Sequence, residues 1–238
     1  MRGAEPNRSW AKTQLPKWAK IRTALRKLWE TGEAGGIYMP KKLLLLTGER
    51  EAPFLLDFVM SLGPEADVVP VTNKSRFSRV TENDLKGARI ISFLSAIIVP
   101  HEVLSRLDLT PYNIHPGPPE RPGLFPEAFA VSEAATDFGV TLHEMIPEID
   151  AGPIIEVRRF TLPRHATRLE VLDQAERHAV HVFADLARHC VEHDTDLPHN
   201  GEQWSGTRTT LQDYQLLLEK HGDLKSLNEE QVLKSFRA

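Results

Sequence analysis

Three side chains suited to proton and charge chemistry stand out in the sequence. Asn113 and His115 lie two apart in Asn113-Ile114-His115-Pro116-Gly117, which closes an apolar-rich stretch. Asp150 opens Asp150-Ala151-Gly152, in the connection between two β-rich runs. Residues two apart on a strand point to the same face. An Asn amide at a strand end can donate to an oxygen that gains negative charge. A His beside it can donate to the same oxygen or shuttle a proton. A carboxylate next to that His favours the charged imidazolium. An amide, an imidazole and a carboxylate meeting at one strand end could carry out an acyl transfer. Taken singly, these residues leave a plainer role open. A His ending a strand is often a local hydrogen-bond partner. Asp-Ala-Gly is a common turn, because Asp bonds its own backbone and Gly accepts positive φ.

The elements that would position them follow from the apolar pattern. Leu43 to Leu46 is a continuous apolar run bounded by Thr47-Gly48, as expected of a strand covered on both faces. Residues 52–62 carry Ala52, Leu55, Leu56, Phe58, Val59 and Leu62 at helical spacing, then Gly63-Pro64. Asp67 to Thr72 and Ala88 to Phe93 read as further strands, and Tyr112 to His115 ends a fourth. Glu82 to Leu85 and Pro100 to Leu104 read as short helical turns. After a proline-rich loop from Pro116 to Pro126, residues 127–135 look helical. Gly139 to Met145 and Pro153 to Leu162 form an expected antiparallel hairpin. Thr167-Arg168-Leu169-Glu170 fits a capping box that opens a helix to about Val191. Residues 194–210 read as loop, with short helices over Gln212 to His221 and Asn228 to Phe236. The fold class expected is α/β: a Rossmann-like, mostly parallel sheet flanked by helices, with an antiparallel hairpin towards the C-terminus and an N-terminal helical extension. In such sheets ligands bind outside the carboxyl ends of the strands, where Asn113 and His115 fall.

Composition narrows the class. The chain has 238 residues, is 41% hydrophobic and 26% charged, which is ordinary for a soluble globular protein. No apolar run approaches the ~20 residues that a membrane span needs. The polar, basic start has no signal core, and Cys190, the only cysteine, excludes an intrachain disulfide. A cytoplasmic location is expected. Up to Lys42 there are ten Lys or Arg against three acids. This arm lacks zinc-binding spacing and an RNA-stacking signature, so nucleic acid is not an expected partner. Trp18, Ile21, Leu25, Leu28 and Trp29 form an apolar stripe after Pro16, suited to docking on the main domain or on a second subunit of a homodimer. The chain is thus divided into a basic helical extension (1–40), a catalytic domain (41–195) and a helical or loop-like tail (196–238). His178 with His181 and His189 with His193 have spacings that can bind zinc, but no acid or cysteine completes a site, and a solvated helix face is expected.

Four stretches in order carry a resemblance. They are Asn113-Ile114-His115-Pro116, Arg121-Pro122-Gly123-Leu124, Gly139-Val140-Thr141-Leu142-His143, and Ile149-Asp150-Ala151-Gly152-Pro153-Ile154-Ile155. Together they resemble the formyltransferases that use 10-formyltetrahydrofolate, over about residues 88–162 and more weakly over 42–87. The resemblance implies that Asn113, His115 and Asp150 are the catalytic residues. It implies that Ala96, Ile97 and Ile98 line the folate pocket, and that Met145, Pro147, Glu148 and Ile149 meet the pterin ring. A flat ring with donors and acceptors along one edge suits backbone groups between aliphatic walls. Thr47-Gly48-Glu49-Arg50-Glu51 stands where the purine-pathway member holds a phosphate, and its two acids would repel one. The stretch after the long helix is shorter than the β-rich domain that transfer-RNA formylating members add. The implied reaction is formyl transfer from 10-formyltetrahydrofolate to the amine of a small molecule, an amino sugar or a metabolite amine. The alternatives are hydrolysis of the formyl donor to formate, and folate binding without turnover.

Overall fold

The computed structural model describes residues 41–220. The expected helix over Pro16 to Glu30 and the one over Asn228 to Phe236 lie outside these residues. Six strands form one sheet: β1 (Lys42–Leu46), β2 (Asp67–Val71), β3 (Ala88–Phe93), β4 (Tyr112–His115), β5 (Asp137–Glu144) and β6 (Ile154–Thr161). Their order across the sheet is β2-β1-β3-β4-β5-β6. The first four run parallel, while β5 is antiparallel to both β4 and β6. The hairpin expected between β5 and β6 is present, and β5 also pairs directly with β4. The outermost strand β2 carries Pro70, which lacks the N–H that a further neighbour would need.

Helices are α1 (Ala52–Leu62), α2 (Lys74–Phe77), α3 (Glu82–Leu85), α4 (His101–Leu104), α5 (Pro126–Ser132), α6 (Arg168–Glu192) and α7 (Leu211–Lys220). No helix among the described residues is long and apolar enough to cross a membrane. The capping box at α6 is closed in both directions, with Glu170 N–H donating to Thr167 Oγ1 and Thr167 N–H donating to Glu170 Oε2. Its apolar stripe, Val171, Ala175, Ala179, Val182, Phe183 and Leu186, is fully buried. Each large side chain so buried contributes roughly 1.5–3 kcal/mol of transfer free energy.

The sheet therefore has two unlike faces. On one, Leu43, Leu45, Ile91, Tyr112, Ile114, Val140 and Leu142 pack with α1 and α6 in the main core. On the other, Leu44, Leu46 and Ile90 form a smaller core with Ile97 and Val99. Alternation along β3, β4 and β5 then places Ser92, Asn113, His115, Thr141 and His143 on this second face. The apolar face of the sheet gives way to a polar patch there, and that patch holds the candidate site residues.

A buried cation fastens the chain after α6 to the sheet. Arg89 on β3 is 1% exposed. It donates to the carbonyls of Thr110 (3.0 Å) and Asp194 (2.7 Å), meets Asp196 at 3.2 Å, and lies 5.2 Å from the centre of the Tyr112 ring. The Tyr112 hydroxyl accepts from Leu197 N–H at 2.9 Å. Replacing Arg89 with Met takes the donor from the Thr110 and Asp194 carbonyls and the buried cation from Asp196. Urea unfolding of Arg89→Met is expected to show a loss of about 2–4 kcal/mol with little change in m value.

Candidate active site

The register of the sheet brings the first pair together. Asn113 stands directly opposite His143, and His115 opposite Thr141. His143 Nδ1–H donates to the Glu144 carbonyl at 2.7 Å, which leaves Nε2 to accept from Asn113 Nδ2 at 3.0 Å. That bond holds the Asn113 amide in one orientation and leaves its second N–H for another acceptor. Thr141 Oγ1 donates to the Gly117 carbonyl at 2.7 Å and ties the loop after β4 to β5. Gly117 is required by closeness: a Cβ there would sit 2.5 Å from His115 Nε2 and 2.9 Å from Pro126 Cβ.

Asp150 reaches the same patch from the β5–β6 connection, with the left-handed φ of 49° that its short polar side chain tolerates. One carboxylate oxygen accepts from Gly123 N–H at 2.9 Å and faces His115 Nδ1 at 3.3 Å. The other lies 3.5 Å from His143 Nε2. The three residues expected from the sequence thus converge. Nothing in the sequence marks a separate role for His143, although its stretch is among those that carry the resemblance. Gly123 N–H and the indole of Trp204 also belong to the cluster, and no side-chain periodicity could have revealed either.

Burial and charge act oppositely on this cluster. Burial pulls the His115 imidazole below its ordinary value, against the raising influence of Asp150 and the Arg121 carbonyl. Burial works to raise Asp150, but His115, His143 and the Gly123 N–H outweigh it and hold the carboxyl below the usual range. His115 Nε2–H donates to the Arg121 carbonyl at 2.9 Å. A second proton, on Nδ1, would meet the Asp150 carboxylate, so the ring has acceptors ready for both protonation states.

The residues expected around a flat ring divide into a floor and a rim. Ile97 is buried in the smaller core, and partly buried Met145 packs against that core. Ala96, Pro147 and Glu148 are exposed, and Ile98 and Ile149 are exposed apolar side chains at 62% and 38%. In the turn after β1, Glu49 accepts from Asn73 and the Glu51 carboxylate folds back over Gly48. His178, expected on a solvated helix face, stacks on Phe160 with ring centres 4.6 Å apart.

No sequence family matches the chain, and no curated protein matches it in sequence. Solved structures do. A likely sugar N-formyltransferase from Mycobacterium tuberculosis superposes with a TM-score of 0.63 at 20% identity, over 84% of this chain and 87% of that one. This is the N-formyltransferase fold. An N-formyltransferase from Helicobacter canadensis, solved with folinic acid and dTDP-3-aminofucose, matches with a TM-score of 0.58 at 17% identity, over 83% of this chain and 80% of that one. HypX from Aquifex aeolicus, solved with tetrahydrofolic acid, matches with a TM-score of 0.51 at 20% identity, over 83% of this chain and 34% of that one.

The two shifts give a pH dependence of stability with one sign. Both groups bind fewer protons folded than unfolded, so folding weakens as pH falls through their unfolded values. For His115 this begins near its ordinary value of 6.5, and for Asp150 near 3.8. Calorimetry should show Tm falling from pH 7.5 to about 5. In His115→Gln the part of the fall that begins near neutrality should shrink, and the part below about 3.8 should shrink with it, because His115 is the foremost of the groups that hold the Asp150 carboxyl low.

Proposed function

We propose that the protein transfers a formyl group from 10-formyltetrahydrofolate to the amine of a small molecule, with an amino sugar as the substrate class. The observation that carries this reading is the meeting of Asn113, His115 and Asp150 in one polar cluster at the end of β4. Fold likeness to N-formyltransferases, one of them solved with an amino-sugar nucleotide, supports it. The acids at Glu49 and Glu51 weigh against a phosphate held in the turn after β1, and so against a purine-pathway substrate.

Ala96, Ile97 and Ile98 would hold the folate from one side and Met145, Pro147, Glu148 and Ile149 from the other, with backbone groups along the ring edge. The folate supplies the activated formyl carbon. The amine nitrogen forms the new C–N bond, the bond from the formyl carbon to the folate nitrogen breaks, and one proton passes from the amine to that folate nitrogen. Asn113 contributes its free amide N–H to the formyl oxygen as negative charge builds there. Asp150 stays ionised and His115 is close to it, so the pair can take the amine proton and hand it on. Holding His115 neutral at rest leaves it free to accept.

Incubation with 10-formyltetrahydrofolate and a panel of amino-sugar nucleotides should release tetrahydrofolate only when an amine is present, with formyl recovered on the amine. Asn113→Ala, His115→Ala and Asp150→Ala should each lower kcat/KM by about 10²–10⁴. Full activity in one of them removes that residue from the mechanism. Formate release independent of amine would replace transfer with hydrolysis.

A further inference from the structure

The chain between α6 and α7 has almost no secondary structure, yet it is pinned along its length to the site. Asn200 N–H donates to the Ile154 carbonyl at 3.0 Å, and Ser205 N–H to the Pro119 carbonyl at 3.1 Å. Thr209 N–H donates to the Pro122 carbonyl at 2.9 Å and its carbonyl accepts from Leu124 N–H at 3.0 Å. Gly206 lies so close to the Glu120 carbonyl that any Cβ would collide with it. At the far end Tyr214 stacks on Phe125 at 4.1 Å, and its hydroxyl accepts from Arg168 at 2.6 Å. The strap therefore lies backbone against backbone on the loop that carries Arg121 and Gly123, the two residues whose main chain contacts His115 and Asp150.

Trp204 is the one strap side chain at the centre of the site. Its indole meets the ring of His143 edge-on at 5.1 Å and 90°, and that of His115 at 5.7 Å and 68°. Its Nε1–H donates to the Gly152 carbonyl at 2.8 Å, within the turn that presents Asp150. One side chain thus touches both imidazoles and the carboxylate's own turn. It carries no titratable group, so its effect comes through packing, water exclusion and that single hydrogen bond.

We propose that Trp204 is a positioning residue that keeps water from His115 and holds the Asp150 turn against it. The inference rests on the formyl-transfer reading for its kinetic consequence, but not for its effect on the imidazole. The titratable groups facing His115 are Asp150 on the turn, His143 on β5 and Glu127 on α5, the last of which is paired with Arg168 of α6 at 2.8 Å. None of these is removed by changing Trp204. With the indole gone, water reaches the ring and the depression caused by burial relaxes.

The test uses the full chain with Trp204→Ala and Trp204→Phe, and with Leu197→Ala as a strap variant away from the imidazoles. Titration of the His115 ring by NMR, in protein without ligands, should move up towards the ordinary histidine value in Trp204→Ala, less in Trp204→Phe, and not in Leu197→Ala. At saturating folate and amine, kcat should fall about 10–100-fold in Trp204→Ala and about 3–10-fold in Trp204→Phe, with KM for the folate within about threefold. The acid limb of the kcat/KM profile should shift to higher pH in the same order. A folded Trp204→Ala whose His115 titrates as in the wild type overturns the proposal. So does a Trp204→Phe equal to wild type in both titration and kcat, which decides the matter if Trp204→Ala does not fold. A wild-type protein that transfers no formyl group overturns the functional reading instead, and the NMR arm still decides the role of Trp204.

Discussion

The carboxylate of Asp150 is the point through which the site is held. It comes from a turn between two antiparallel strands, yet its oxygens face an amide N–H of the proline-rich loop and two imidazoles on the central sheet. Ions in protein interiors are costly to desolvate, and this one is held by the Gly123 N–H and by its closeness to the two imidazoles, which together outweigh its burial. Geometry elsewhere can be understood as serving that convergence. The positive φ at Asp150 turns its side chain inward, and the Gly123 N–H fixes one oxygen. The antiparallel pairing of β5 with β4 puts His143 opposite Asn113, so one bond orients the amide and the same ring faces Asp150.

A sheet that was apolar on both faces would fold at least as well, so the polar patch is a local sacrifice of stability. Ser92, Asn113, His115, Thr141 and His143 occupy positions where the neighbouring strands place Leu44, Leu46 and Ile90. The cost is offset because nearly every polar atom there finds a partner: Thr141 on Gly117, His143 on Glu144, His115 on Arg121. The remaining donor capacity, the second N–H of Asn113, is the part available to an external oxygen.

Much of this frame could be read in the sequence because it repeats. The apolar run at Leu43 and the helical spacing from Ala52 to Leu62 gave element bounds that agree with the structure, since burial on defined faces writes a period into the residues. The capping box at Thr167 was legible because its chemistry is local. Helix α2 was not, as Lys74-Ser75-Arg76-Phe77 has too few turns to show a stripe. Helix α5 begins at Pro126 because Phe125 takes a left-handed φ of 57°, an angle that no sequence pattern announced. The strap's lack of regular structure is legible in the sequence, but its importance is not. Its hydrogen bonds run to the backbones of other segments, and such bonds leave no period. Asn113, His115 and Asp150 were visible as residues able to do chemistry; their nearness in space came from register and turn geometry.

The outer strand β2 has a consequence for how copies of this protein can meet. Pro70 lacks an amide hydrogen, so a second chain zipping along that flank would leave one of its own carbonyls without a donor. On the opposite flank Asn200 already claims the Ile154 carbonyl, which blunts the border of β6. Both borders are thereby discouraged from recruiting foreign strands, and fibrillar growth by sheet extension is opposed at either end.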